Sequence, residues 1–270
     1  MNEIYSLIIP VLDRLEELKL LYNSIKSTYP IKILLIDNGS GKETLKYISK
    51  ISKDPRVIVT FDGFNKGASY ARNKGLDFAF KTLKSKGVFF IDSDVVLGEG
   101  CLDELISFQK KTKAALVFPY DQKVEGFTFE QFAGKGFAPS FKTKTLFGTG
   151  CCFIPFSTFD KVGYFDEMFF PVYFEDMDYF YRIKLEVGEL LLCPGAFGFH
   201  FGSQTIGKSD DFSKYKKQRF GWLMDYYRNK WGGLPGKEKF KKSFNSDKFT
   251  PLPYLLAHLQ GQKDRQPSVG

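Results

Sequence analysis

Short apolar runs alternate with segments of helical spacing through the first 120 residues of the chain. Each run is long enough for one buried strand, and the runs lie at 4–10, 31–36, 57–61, 87–91 and 114–119. The intervening segments repeat apolar side chains every three or four residues, as amphipathic helices do. This alternation predicts an α/β fold with a mostly parallel central sheet flanked by helices.

Polar side chains stand where three of these predicted strands end. Asp37 closes the second strand, Asn65 follows the third, and Asp92 and Asp94 follow the fourth. Because ligands of such sheets bind outside the carboxyl ends of the strands, we expect these side chains to meet at one site. Paired carboxylates suit a hard divalent cation, which can neutralise a substrate diphosphate. The alternative for residues 92–94 is a solvated turn or a helix cap.

An acidic cluster opens a later helix, which is predicted over 174–187. Glu175, Asp176 and Asp178 follow an aromatic run. A carboxylate in apolar surroundings has a raised pKa, and a raised pKa suits a general base. The alternative is an acidic helix N-terminus, which the helix dipole favours.

One of the two histidines, His200, lies between two phenylalanines. It is either a structural histidine on an apolar segment or the third ligand of a metal at Asp92 and Asp94. The second interpretation is chemically reasonable because imidazole also binds Mn²⁺ and Zn²⁺.

Residues 202–209 match the P-loop pattern GxxxxGK[ST]. Only 61 residues follow Ser209, and they contain no run of strand-forming residues that could complete the sheet of such a domain. We therefore expect that this segment is not a nucleoside triphosphatase site.

The formal net charge of +8 is concentrated in one part of the chain. Residues 1–207 hold 25 basic and 25 acidic side chains, whereas residues 208–270 hold 14 and 6. A neutral body with aligned carboxylates argues against nucleic acid as the partner. The four cysteines form no CxxC pair, and neither a signal peptide nor a long apolar span is evident, so we expect a cytoplasmic protein.

The basic segment also carries aromatic side chains, which interleave with lysines and arginines over 212–231. Such a mixture suits peripheral contact with the inner face of a membrane, and a lipid-linked acceptor would explain the need for this contact. The alternative is a helix packed on the body with its charged face in solvent.

Taken in order, the sequence motifs resemble those of family 2 inverting glycosyltransferases of the GT-A type, with the rhamnosyltransferase-like members most similar. The resemblance covers about residues 5–205. The matching segments are the strand at 6–10, LLIDNGS at 34–40, NKGASYARNKG at 65–75, DSD at 92–94, GTG at 148–150, VGYFDE at 162–167, EDMDYFYR at 175–182, and Pro194 with His200. The sequence departs from the family at 11–13, where the family contacts the base, so the base of the donor stays open.

This resemblance implies a GT-A catalytic domain over 1–207 and a basic, aromatic, helical C-terminal extension over 208–270. It implies a nucleotide-sugar donor, with UDP- and dTDP-sugars favoured, and an acceptor hydroxyl on a glycan, a lipid-linked glycan or a protein. The residues expected to bind the nucleotide are Pro10, Asp37, Asn65, Gly67, Arg72, Asn73, Asp92 and Ser93. Asp94, Asp92 and His200 are expected to hold Mn²⁺ or Mg²⁺.

Among the acidic residues, Asp176 is the expected general base, and Glu175 and Asp178 are its nearest competitors. Arg182 is expected to be a structural partner of this cluster. The first rival function is a nucleotidyltransferase, which needs a glycine-rich basic loop near the N-terminus, where residues 10–15 offer only Arg14. The other rivals are a nucleic-acid-binding protein and a retained fold without activity.

Overall fold

The computed structural model describes residues 3–122, 149–201 and 210–249 of the chain. Eight strands lie within these residues: β1 (Tyr5–Val11), β2 (Ile31–Asp37), β3 (Val57–Phe61), β4 (Gly87–Ile91), β5 (Val95–Leu97), β6 (Leu116–Gln122), β7 (Cys151–Pro155) and β8 (Leu190–His200). The α-helices of the same residues are α1 (Leu15–Ser24), α2 (Lys42–Ile51), α3 (Ala68–Asp77), α4 (Cys101–Thr112), α5 (Phe156–Val162), α6 (Glu175–Glu186) and α7 (Asp210–Trp231).

All eight strands form one sheet in the order β3-β2-β1-β4-β7-β6-β8-β5. The pairs β1–β2, β2–β3, β1–β4 and β6–β8 are parallel. The pairs β4–β7, β6–β7 and β5–β8 are antiparallel. The predicted α/β fold with a mostly parallel sheet is therefore confirmed, while the short antiparallel strands β5 and β7 were not predicted.

Both faces of the sheet are buried, which explains why its strands are continuous apolar runs. In β1, Leu7 and Ile9 contribute to one core cluster, and Ile8 between them contributes to the other. Helices α1, α2 and α4 pack on the first face, and α3, α5 and α6 pack on the second. The strand ends are thus fixed from both sides, so that the loops leaving them keep a defined geometry.

Strand β8, the last strand along the chain, is longer than its local sequence pattern indicates. Strand β8 begins at Leu190 and continues through Pro194 and Gly195 to His200. A register shift opposite β6 accommodates the interruption, and irregularities of this kind are where strands tolerate proline. Because β8 then pairs with β5, His200 lies opposite Val95 and reaches the carboxyl end of β4.

The C-terminal helix packs on the body. Leu223, Tyr227 and Trp231 of α7 are buried in a cluster with Phe169. The described part of the basic segment therefore packs on the body, and this packing leaves Phe220, Trp222 and Phe249 exposed. None of the helices in the described ranges has the length and apolar character needed to cross a bilayer. The P-loop-like segment 202–209 and the predicted motif residue Gly148 lie outside the described residues.

Candidate active site

A cleft of about 240 Å³ opens at the carboxyl ends of the central strands. It is lined by Pro10, Val11, Leu12, Asn38, Asn65, Ala68, Asp92, Ser93, Asp94, Pro171, Val172, Tyr173 and His200. Six residues predicted for the site therefore share this cleft: Pro10, Asn65, Asp92, Ser93, Asp94 and His200. They come from four separate strand ends, which the parallel sheet brings together.

The buried side chain of Asn38 ties three strand-end loops together. Its Nδ2 donates to Asn65 Oδ1 at 2.9 Å, and its Oδ1 accepts from the backbone N–H of Lys66 at 2.8 Å. Its own backbone N–H donates to the carbonyl of Val11 at 2.7 Å. This network fixes the loops after β1, β2 and β3 at one end of the cleft.

Asp92, Asp94 and His200 form a cluster that can hold a metal. One potential ligand atom from each residue lies within 4.8 Å of the others. His200 Nε2 is 3.1 Å from Asp94 Oδ1, a contact that follows from the β5–β8 pairing. Two carboxylates and an imidazole are a donor set that suits Mn²⁺ and also accepts Mg²⁺. The residues present therefore fit the divalent cation expected from the sequence.

A buried arginine joins this cluster to the acidic helix. Arg72 Nη2 donates to Asp92 Oδ1 at 2.9 Å, and Nη1 donates to Glu175 Oε1 at 3.0 Å. Burial by itself lowers the pKa of Arg72, but the charges of Asp92, Glu175 and Asp176 outweigh it, so the pKa is above its ordinary value. Arg72 was expected to bind the nucleotide, whereas here both its terminal nitrogens bind carboxylates of the protein.

The half-buried Asp176 is the carboxyl group with the electrostatics of a general base. Burial, followed by the charge of Glu175, raises its pKa to about 7, although Arg72 opposes the shift. Asp92 also contributes to the shift, so Asp176 lies within electrostatic range of the metal-binding cluster. A carboxyl group with a pKa near neutrality exchanges protons efficiently at physiological pH.

Asp178, another competitor for the base, is fully buried, and both its carboxylate oxygens bind protein groups. Its Oδ2 accepts from Arg182 Nε at 2.9 Å, and its Oδ1 accepts from Trp231 Nε1 at 2.8 Å. Arg182 also donates to the carbonyls of Val162 and Tyr164. The expected structural partnership of Arg182 with the acidic cluster is confirmed.

Two further residues expected to bind the nucleotide make internal contacts. The Asp37 carboxylate accepts from the backbone N–H groups of Gly39 and Ser40, which shapes the turn after β2. Asn73 is buried and exchanges hydrogen bonds with the backbone of Phe165. Both side chains support loops around the cleft in this structure.

Gly67, also expected at the nucleotide, allows a close approach of two loops. Its φ is +92°, and a Cβ there would lie 2.7 Å from Phe170 and 3.2 Å from the Pro171 carbonyl oxygen. Only glycine fits both the backbone conformation and the space.

The wall formed by Pro171, Val172 and Tyr173 was not predicted as part of the site. Its position depends on the packing of residues 169–174 against α7, which no local pattern encodes. Asn38 was also missed, although it stands within the strand-end motif next to Asp37. The sequence feature that could have indicated this wall of the cleft is the aromatic run that precedes Glu175.

Comparison with known proteins agrees with this architecture. Residues 6–169 match the family model described as glycosyl transferase family 2, which is more than half of the chain. The chain is 24% identical over 258 residues to the low-salt glycan biosynthesis hexosyltransferase Agl10 of Haloferax volcanii, covering 90% of this chain and 78% of that protein.

Solved structures share the fold at low sequence identity. S. aureus TarS 1-349 aligns with a TM-score of 0.57 at 20% identity, covering 74% of this chain and 60% of that one. GalNAc-T7 with UDP, GalNAc and Mn²⁺ aligns with a TM-score of 0.57 at 18% identity, covering 85% of this chain and 51% of that one. The chain thus spans between half and two thirds of these structures, and the likeness confirms the GT-A fold.

Proposed function

The chain belongs to glycosyl transferase family 2, and from that premise we propose that it transfers a sugar from a nucleotide-diphosphate donor to an acceptor hydroxyl with inversion. The observation that carries the proposal is the cluster of Asp92, Asp94 and His200 in the wall of the cleft. These residues would hold Mn²⁺ or Mg²⁺, which neutralises negative charge on a diphosphate leaving group.

The proton transfer is assigned to Asp176, whose raised pKa suits a general base. Its carboxylate takes the proton of the acceptor hydroxyl while that oxygen attacks the anomeric carbon. The bond to the acceptor oxygen forms on the face opposite the breaking bond to the diphosphate, and the nucleoside diphosphate leaves. A single displacement inverts the anomeric centre and needs no nucleophile from the protein.

Neighbouring residues orient the groups that react. Arg72 binds both Asp92 and Glu175, so one buried guanidinium connects the metal-binding cluster to the start of α6. We assign Glu175 and Asp178 to structural roles, because Arg72 binds the first and Arg182 binds the second.

UDP-sugars and dTDP-sugars are the favoured donors, and a hexose is the favoured sugar. TarS 1-349 has been crystallised with UDP-GlcNAc, and its structure aligns with this chain at a TM-score of 0.55. The relative Agl10 is named a hexosyltransferase, which supports transfer of a hexose to a glycan or a lipid-linked glycan here.

A functional division at residue 207 is also part of the proposal, with catalysis in 1–207 and an extension over 208–270. We propose that this extension also touches an anionic membrane. The groups available are three exposed aromatic residues, Phe220, Trp222 and Phe249, and two exposed lysines, Lys241 and Lys242.

Liposome flotation tests the membrane contact. The chain is expected to float with vesicles that contain an anionic lipid and to remain below neutral ones, and Phe220→Ser combined with Trp222→Ser is expected to reduce flotation. Equal recovery with both vesicle types would contradict membrane contact and leave the transfer reaction unaffected.

A nucleotidyltransferase is the second candidate, and the loop after β1 argues against it. Its basic residue, Arg14, is buried and donates to Glu17 at 2.9 Å. The charge of Arg14 is therefore buried and paired with Glu17, whereas a triphosphate site would need an accessible cation.

A panel of nucleotide sugars tests the proposed function. With Mn²⁺ present, UDP- or dTDP-sugars are expected to raise the melting temperature and to be hydrolysed slowly. Asp94→Asn is expected to lose the Mn²⁺-dependent stabilisation, and Asp160→Asn on the exposed side of α5 is the matched control. Stabilisation by ATP and by no nucleotide sugar would contradict the proposal.

A further inference from the structure

A single buried lysine of the C-terminal helix holds two distant aspartates. Lys230 Nζ lies 2.7 Å from Asp166 Oδ2 and 2.6 Å from Asp178 Oδ1, and its side chain is 4% exposed. Its ammonium is also within 6 Å of the ring centroids of Phe169, Tyr226 and Trp231. A charge in such a place is stable only because its partners are fixed around it.

The two aspartates stand at the ends of segment 166–178, which contains part of the candidate active site. Pro171, Val172 and Tyr173 of this segment line the cleft, and Asp176 is the proposed base. The segment consists of the loop 166–174 and the first turn of α6, and one ammonium group from another helix joins its two ends.

The end of this loop, immediately before α6, is conformationally strained. Tyr173 has φ of 92° and Phe174 has φ of 67°, values that side chains with a Cβ rarely adopt. Such a backbone persists where its surroundings over-determine it. The surroundings here belong to α7, because Phe220 contacts the rings of Tyr173 and Phe174, and Tyr227 contacts that of Phe174.

Two side chains of α7 also donate hydrogen bonds to the same two aspartates. Tyr226 donates to Asp166 Oδ2 at 2.8 Å, and Trp231 donates to Asp178 Oδ1 at 2.8 Å. The loop is attached to the cleft on its other side, where the backbone N–H of Ala68 donates to the Pro171 carbonyl at 3.0 Å. The end of α7 therefore holds the loop at the start of α6 from outside the cleft.

We propose that Lys230 is a positioning residue for sugar transfer, which holds segment 166–178 so that Asp176 and the cleft wall keep their reactive placement. This inference rests on the proposed function and extends it, because it assigns the C-terminal helix to the active site. The basic extension then has a catalytic purpose that does not depend on a membrane.

Hydrogen exchange of the full-length chain tests the placement without any activity assay. In Lys230→Met, the backbone amides of residues 172–177 are expected to exchange faster, while those of β1 and β4 keep their wild-type rates. Arg228→Met is the matched control, since Arg228 is exposed on the same helix. Unchanged exchange over residues 172–177, or an equal rise in exchange rate along the whole chain, would overturn the proposal.

Kinetics then separate positioning from simple stabilisation. Donor hydrolysis by Lys230→Met is expected to lose about 10²-fold in kcat, the scale of a misplaced catalytic group, with unchanged affinity for UDP in Mn²⁺. A folded variant with wild-type kcat would overturn the proposal. If Lys230→Met does not fold, Tyr226→Phe removes one bond to Asp166 and is expected to show the same changes to a smaller degree; wild-type exchange and kcat in that variant would overturn the proposal.

The two proposals fail in different ways. A wild-type chain that hydrolyses no nucleotide sugar would contradict the proposed function. Even in that case, the hydrogen-exchange experiment would show whether Lys230 holds the loop, because it does not depend on turnover.

Discussion

Arg72 and Asp92 form a salt bridge of 2.9 Å, in which the arginine side chain is 4% exposed and the aspartate lines the cleft. The other end of the guanidinium binds Glu175, which precedes the proposed base by one residue. The metal-binding cluster and the start of α6 therefore share one buried cation. An arginine suits this position because its planar fork can satisfy two carboxylates at once.

Removing this cation should destabilise the fold. Arg72→Met leaves Glu175 buried without its charge partner, and breaking a buried pair in this way costs about 3–5 kcal/mol. Urea denaturation measures the free energy of unfolding. Arg56→Met is the matched control, because Arg56 forms a partly exposed pair with Asp54 and should change that free energy by about 1 kcal/mol or less. Equal effects of the two substitutions would contradict the buried bridge.

Asp176→Asn should separate chemistry from donor binding. The amide keeps the size of the side chain but cannot accept the proton, so turnover should fall by about 10²–10⁴-fold. Calorimetric titration with UDP and Mn²⁺ should give wild-type affinity. Asp160→Asn removes an exposed carboxylate from α5 and should leave turnover unchanged. Near-normal turnover in Asp176→Asn would remove this residue from the mechanism.

The raised pKa of Asp176 predicts the pH dependence of the reaction. A general base acts in its ionised form, so kcat/KM should increase as pH rises through about 7 and level off above it. Burial and the charge of Glu175 hold the proton on the carboxyl group below that pH. A rate profile measured between pH 5.5 and 8.5 checks this expectation, and a flat profile would contradict it.

Much of this site was predictable because it depends on strand ends. Asn65, Asp92 and Asp94 follow separate apolar runs, and a parallel sheet necessarily brings such ends together. The role of His200 was harder to predict, since its position follows from the pairing of β5 with β8. A three-residue strand and a strand that passes through Pro194 have no clear local signature.

The contacts that hold the site could not be predicted from local patterns. Arg72 lies in a motif that suggested nucleotide binding, yet its charge partners are 20 and 103 residues away in sequence. Lys230 belongs to a segment whose basic composition suggested a surface, but two aspartates and three aromatic rings enclose its ammonium. In both cases tertiary packing determines the interaction partners, and amino-acid composition carries no information about that packing.

The stereochemistry of transfer gives a further prediction. A single displacement on an α-linked donor releases the β-anomer first, before the sugar equilibrates in water. Proton NMR recorded during hydrolysis of the donor should therefore show the β-anomer at early times. Early release of the α-anomer would contradict the inverting mechanism, although not the identity of the donor.

Dependence on a divalent cation is the property that most directly links the cluster of Asp92, Asp94 and His200 to sugar transfer. The measurement is the release of nucleoside diphosphate from the best-binding nucleotide sugar, with Mn²⁺ and after its removal by EDTA, for the wild-type chain and for Asp94→Asn. We expect wild-type turnover to fall to background in EDTA and to return when Mn²⁺ is restored, and we expect Asp94→Asn to remain near background. Full wild-type turnover in EDTA, or wild-type turnover by Asp94→Asn, would contradict the account.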